Sequence, residues 1–243
     1  MMRNKRNLGL IILIFVVYVA QSQSPSIAST PKYVFAVSYT PALTFRELQF
    51  DEQHKFLESQ RNQMETPMYG FSTALAVQRN FNKRSLVELG VSFSSIGYKT
   101  QAINLYWEPS QPEYPASTWA AFSYQYISLT ARYKYILCGK KVQFYVAPGL
   151  SVDGLLHRKT SVYTRYNDKS DQKSVSTTRE GYSKANISII VAIGAKVNLS
   201  QRYALCIEPT YWRGLISVIP ENNNKEFLYA FGLTTQFIFH FKK

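Results

Sequence analysis

Six charged residues sit where a chain of this kind has least reason to carry charge: Glu88, Arg132, Lys134, Asp153, Lys196 and Glu208. Each falls in a stretch of period-two alternation, on the face carrying Gly, Ala, Ser and Thr rather than Val, Ile and Phe. Charges confined to an interior are costly unless they pair or find water. Three acids facing three bases suggest mutual neutralisation, a salt-bridge plug rather than a gated polar path, with Asp153 nearer the rim. The three histidines offer less. His54 lies in Asp51-Glu-Gln-His-Lys-Phe-Leu-Glu-Ser, which reads as a short exposed helix capped by Asp51. His157 falls in a long polar segment and His240 on the small-residue face near the chain end, neither beside an obvious Ser partner. No G-x-S-x-G, P-loop or His/Cys metal spacing is present. The expectation is therefore no catalytic residue, no metal and no cofactor. Cys138 and Cys206 fall in a turn and on the inner face, so no obligatory disulfide is expected.

The elements that must position these residues are strands. Alternation runs through Lys32–Thr44, Tyr69–Arg79, Leu86–Ile96, Tyr124–Leu137, Val142–Gly154, Ala185–Leu199, Tyr203–Trp212 and Phe227–Phe241. Most exceed the five or six residues usual in soluble sheets, and they approach the roughly 9–11 that a tilted strand needs to cross a bilayer. Short turns (Asn80–Ser85, Cys138–Lys141, Ser200–Arg202) alternate with long connections (Phe45–Met68, Gly97–Ser123, Leu155–Lys184, Arg213–Glu226). Long loops are uncommon in compact soluble domains. Placed all on one side, they match an outer-membrane barrel with short periplasmic turns and long extracellular loops.

The chemistry of the two faces decides the environment. Tyr69, Phe71, Leu75 and Val77 oppose Gly70, Ser72, Ala74 and Ala76, and Ile187, Ile189, Val191 and Ile193 oppose Asn186, Ser188, Ala192 and Gly194. The second face is too small and too bland for a solvated exterior, yet it suits the crowded interior of an eight-stranded barrel. The large apolar face then points outward, which lipid accommodates; a secreted lipocalin-like binding barrel is the soluble alternative. Aromatic residues cluster toward both strand ends, as Tyr33, Tyr133, Tyr135 and Tyr203 near the turns and Tyr39, Tyr69 and Tyr211 near the loops, like interfacial girdles. The expected fold is all-β: an eight-stranded antiparallel up-and-down transmembrane β-barrel.

Composition agrees. Of 243 residues, 18% are charged and 15% aromatic, the reverse of a disordered chain. Arg3, Lys5 and Arg6 precede the apolar run Leu8–Ala20 and then polar Gln-Ser-Gln-Ser, the layout of a secretory signal peptide. The run is short of the roughly 20 residues of a spanning helix. The organisation expected is a signal peptide over 1–22 with cleavage near 20–24, a short segment over 23–31, and a barrel domain over 32–243 in the outer membrane. The net charge of +13 needs no nucleic acid, because no solvent-exposed sheet face alternates basic with stacking residues. The third long loop, His157–Lys184, holds seven bases against three acids. Arg158, Lys159, Arg165, Lys169, Lys173 and Arg179 are its candidate contacts to anionic lipopolysaccharide or a surface polymer. Trp107, Pro109, Pro112, Pro115 and Trp119 in the second loop suggest a docking surface.

The stretches Tyr69-Gly-Phe-Ser-Thr-Ala-Leu, Ile127-Ser-Leu-Thr-Ala-Arg-Tyr-Lys-Tyr and Phe144-Tyr-Val-Ala-Pro-Gly-Leu make the chain resemble the small outer-membrane barrels of Bacteroidetes, the porin or PorT-like group. Its architecture is similar to the OmpA and OmpX barrels. The resemblance implies biogenesis through the barrel-assembly machinery, contact with outer-membrane lipid and envelope protein partners, and a structural or interaction role, one form of which is an accessory of a protein-secretion assembly. A small-solute porin and a lipid A-modifying barrel enzyme are the alternatives. Phe237, Phe239 and Phe241 fit the terminal aromatic signal of such barrels, although Lys242 and Lys243 follow.

Overall fold

The structure, a computed structural model, describes residues 33–82, 84–108, 114–168, 170–220 and 224–240. The expected signal peptide and the segment to residue 31 lie outside the described residues, as do Pro109, Pro112, Lys169, Phe241, Lys242 and Lys243. The strands are β1 (Tyr33–Gln49), β2 (Glu65–Asn80), β3 (Ser85–Thr100), β4 (Ile103–Asn104), β5 (Pro115–Cys138), β6 (Val142–Tyr166), β7 (Gln172–Thr178), β8 (Ala185–Asn198), β9 (Tyr203–Gly214) and β10 (Lys225–His240). A 3-10 turn over Glu52–His54 leads into α1 (Lys55–Met64) between β1 and β2.

Eight of the strands form a closed antiparallel ring in the order β5-β3-β2-β1-β10-β9-β8-β6, with β6 pairing back onto β5. Closure satisfies every ladder edge, which hydrocarbon demands of a spanning sheet. The first and last strands meet in a register that puts Val34 opposite His240 and Gln49 opposite Lys225. The remaining two strands are add-ons at the long-loop end, β4 on β5 and β7 on β6.

The burial of alternate residues is inverted relative to a water-soluble barrel. Leu75, Leu89, Leu129, Val152, Ile193 and Phe231 are exposed on the outside, while Ala36, Ala76, Ala147, Ala192, Ala204 and Ser188 are buried within. A belt of large apolar side chains this continuous is stable against lipid and not against water. Tyr33, Tyr133, Phe144 and Tyr203 at the turn end, with Tyr39, Tyr69 and Tyr211 toward the loops, are exposed on the same outer face. No described helix is long and apolar enough to cross a membrane; the strands carry the belt.

Three expected loops need correction. The third, set at Leu155–Lys184, is mostly sheet: β6 continues to Tyr166 and pairs with β7. The second, set at Gly97–Ser123, gives its last residues to β5, which starts at Pro115. Together β4, β5, β6 and β7 raise a four-stranded sheet beyond the ring. Beyond the ring neither face of this sheet needs to face hydrocarbon, so the apolar alternation that marks a spanning strand is absent there. The first, set at Phe45–Met68, gives its ends to β1, which runs to Gln49, and to β2, which starts at Glu65, but its expected helix is present, with the Asp51 side chain accepting the His54 backbone N–H at 3.1 Å and α1 following.

Candidate functional site

The barrel interior holds a compact charge cluster near the turn end. Arg132 and Lys134 are two residues apart on β5 and so share its inner face. Register places Glu88 of β3 directly beside Arg132, and Gln78 of β2 beside Glu88. Glu208 arrives from β9, the strand diametrically opposite β3 in the ring. The two bases therefore bridge the lumen from wall to wall.

The cluster is densely hydrogen-bonded. Arg132 donates from Nε to Glu88 at 2.7 Å and from Nη1 to Glu208 at 2.6 Å, with a further short bond from Nη2 to Glu88. Lys134 Nζ reaches Glu208 at 2.8 Å, Glu88 at 3.0 Å and the Gln236 side-chain oxygen at 2.7 Å. Gln78 and Gln236 donate to Glu88 at 2.7 and 2.8 Å, and the Tyr145 hydroxyl donates to Glu208 at 2.5 Å. Two acids and two bases make the group neutral, and all four are buried. Such a group holds together because each charge is compensated by an opposite one and both carboxylates accept from several donors.

Two glycines make room for it. A Cβ on Gly149 would come within 2.7 Å of the Arg132 side chain and of the Ala131 carbonyl. One on Gly194 would meet the Tyr145 ring at 2.5 Å, displacing the hydroxyl that caps Glu208.

Of the six interior charges expected from the sequence, Glu88, Arg132, Lys134 and Glu208 come together. Asp153 and Lys196 do not. Asp153 stands apart, its Oδ2 accepting a short bond from Ser188. Lys196 lines a small void with Cys206 and Tyr145 and makes no ion pair among the described residues. The single six-membered network is thus corrected to a four-charge cluster with two outliers.

A second cluster closes the loop end, and the sequence reading missed it. Arg46, buried on the inner face of β1, donates to Glu65 at 2.6 Å and to Asn62 of α1 at 2.7 Å. Arg61 of α1 reaches Glu65 at 2.8 Å and Glu226 of β10 at 3.2 Å, and the Tyr124 hydroxyl donates to Glu226 at 3.2 Å. Burial works against the Arg61 charge, but its hydrogen bond to Glu65 and the nearby Tyr98 and Glu226 carry its pKa above the ordinary arginine value. The signal was available in part: Arg46 and Glu226 continue the inward alternation of their strands past the expected strand ends. That α1 folds back over the mouth has no such signature.

The six candidate polymer contacts separate. Arg158 is corrected: it points into the mouth, stacked 4.6 Å from the Phe122 ring centre and 4.8 Å from that of Tyr182. Its guanidinium is spent on aromatic faces within the barrel rather than offered outside. The bulge between Gln125 and Tyr126 sets this orientation by shifting the β5–β6 register. Lys159, Arg165 and Lys173 instead lie on the outward continuation of the raised sheet, with register pairs Lys159–Thr177, Ser117–Arg165 and Tyr163–Lys173. Between them Trp119 and Tyr163 stack 5.2 Å apart and 6° from parallel, and Lys173 Nζ lies 5.1 Å from the Tyr163 ring centre. Arg179 is exposed beyond the end of β7, and Lys169 lies outside the described residues. Cys138 is free and exposed, Cys206 free and buried.

The closed ring has counterparts among solved structures. Neisserial surface protein A is 14% identical, with a TM-score of 0.44 over 88% of this chain and 100% of its own. OprG of Pseudomonas aeruginosa is 11% identical, with a TM-score of 0.41 over 89% and 100%. The outer membrane protease OmpT of Escherichia coli is 10% identical, with a TM-score of 0.41 over 90% and 100%. Among curated proteins none matches the chain. The family model described as an outer membrane protein beta-barrel domain matches residues 19–220. A match of that extent, on a ring whose apolar face points outward, makes this chain a member of the outer membrane protein beta-barrel domain family.

Proposed function

We propose that this protein is a non-conducting, non-enzymatic barrel of the outer membrane that works as an interaction platform, its raised β5–β6–β7 sheet engaging the phosphates of neighbouring lipopolysaccharide. The observation that carries this reading is the outward row of Lys159, Arg165 and Lys173 around the stacked Trp119 and Tyr163. The row continues the lipid-facing side of the barrel, so it meets the sugar-phosphate layer directly above the acyl chains. Cations recognise the phosphates, and flat aromatic faces suit sugar rings.

The non-conducting part rests on the two charge clusters, since an eight-stranded lumen is narrow enough to be filled by side chains. The non-enzymatic part rests on histidine placement. The His54 ring is engaged by Asp51, three residues earlier, at 2.6 Å on the exposed turn before α1, rather than by a hydroxyl nucleophile.

The test is binding of the detergent-purified protein to lipopolysaccharide and to its dephosphorylated form. The triple variant Lys159→Gln, Arg165→Gln, Lys173→Gln is expected to bind intact lipopolysaccharide roughly tenfold more weakly, about 0.5 kcal/mol for each exposed contact, and to lose its preference for phosphate. Equal binding of both forms by the native protein would overturn the reading. Stoichiometric recovery of another envelope protein after cross-linking of cells would replace it with a role in an assembly, such as the secretion accessory of the PorT-like group.

A further inference from the structure

Between the two clusters the lumen is not filled. A cavity of about 110 Å³ lies there, lined by Glu88 and Arg132, by hydroxyls such as Ser92, Ser128, Thr130 and Ser151, and by apolar residues such as Ile96, Ile190 and Trp212. That is space for several waters. Asp153 also lines it, and its Oδ1 has no hydrogen-bond partner although the residue is only 1% exposed. Ser151, two residues away on the same face of β6, is 2% exposed, and its hydroxyl is likewise unpartnered. Register sets Ser128 of β5 beside Asp153, and Ser188 of β8 beside Ser151.

Among the charged residues that line this chamber, Glu88, Arg132 and Asp153, one is unbalanced; Lys196 and Arg158, which also make no ion pair among the described residues, do not line it. Arg132 and Lys134 are matched by Glu88 and Glu208, and each of the four is engaged inside its own cluster. Arg46 and Arg61 are matched by Glu65 and Glu226 at the mouth. Asp153 has a hydroxyl donor, Ser188, and no cation. A buried carboxylate with one open oxygen, facing a partly open space whose lining mixes hydroxyls with apolar residues such as Ile96, Ile190 and Trp212, has no opposite charge beside it and offers an oxygen ligand for a cation.

We infer that the chamber is a binding site for a single monovalent alkali cation, Na⁺ or K⁺, held by Asp153 Oδ1 and the Ser151 hydroxyl, with water completing its shell. The donor set is oxygen only, which selects hard cations over transition metals. A single carboxylate compensates one positive charge, whereas all-oxygen sites for divalent cations draw on several carboxylates. The site is independent of the lipopolysaccharide reading, since it lies inside the barrel and shares no residue with the raised sheet.

The deciding measurements use the full refolded protein in detergent. Crystals grown in RbCl are expected to show an anomalous peak at Asp153 Oδ1. Urea unfolding at constant ionic strength is expected to give a higher midpoint in NaCl or KCl than in choline chloride, because a ligand held only by the folded state stabilises it. Asp153→Asn should abolish that difference, and Ser151→Ala, which keeps the carboxylate, should reduce it. Absence of anomalous density at Asp153, with equal midpoints in all three salts, would overturn the inference and leave a water-filled chamber. A peak without any stability difference would identify an adventitious ion only and would overturn it equally. If Asp153→Asn does not refold, the native salt comparison and Ser151→Ala decide alone.

Discussion

Arg132 sets the terms at the level of single residues, because it touches both carboxylates of the inner cluster. Arg132→Leu leaves two buried acids to share one lysine, and is expected to lower stability by about 3–5 kcal/mol. The readout is the urea midpoint of the folded band on unboiled gels. Replacing Glu88, Arg132, Lys134 and Glu208 together by Met should recover most of that loss, since no charge is then left alone. The alternation of small and large residues made the inward direction of these side chains legible. It did not specify partners. Glu88 and Arg132, 44 residues apart, meet through the β3–β5 register, whereas Glu208 meets Arg132 only because the ring closes. Asp153 and Lys196 share the inward direction but meet no residue of opposite charge, Lys196 lying beside Lys134 instead, and partner identity is something parity does not carry. Arg158 shows the complementary limit, where one bulge turned a loop base into a mouth-lining one.

Strands were readable as far as the bilayer extends. The eight spanning segments show alternation because one side faces lipid and the other faces a crowded lumen. Beyond Gly154 and before Tyr124 that contrast ends, and the upper halves of β5 and β6 pass for polar loop. The raised sheet has an edge in β7, whose residues are all exposed except Thr178. Hydrogen–deuterium exchange in detergent is expected to be fast across Gln172–Thr178 and slow across β8, where ladder partners stand on both sides. Comparable protection of the two segments would mean that something covers the β7 edge. Inside the ring, packing against β8 is tight. Gly194→Ala pushes a methyl group into the Tyr145 ring and should cost about 1–3 kcal/mol, with the outer apolar face unchanged.

For the molecule as a whole, an outward apolar belt on a closed ring predicts a protein soluble only in detergent or lipid. It should be heat-modifiable: unboiled and boiled samples in dodecyl sulfate are expected to migrate differently, because the closed barrel resists the detergent until heated. Identical migration, with recovery in a soluble fraction, would contradict the lipid-facing assignment. The inner cluster also bears on how such a molecule comes into being. Its members come from β3, β5 and β9, so no contiguous half of the sheet contains a neutral set. A partly inserted sheet carrying β3 and β5 without β9 would hold two bases against one acid, with open strand edges on either side. Entry into the bilayer and joining of β1 to β10 are thereby tied into one event in time. The charge pairing that spans the finished lumen also makes half-finished barrels poor residents of the membrane.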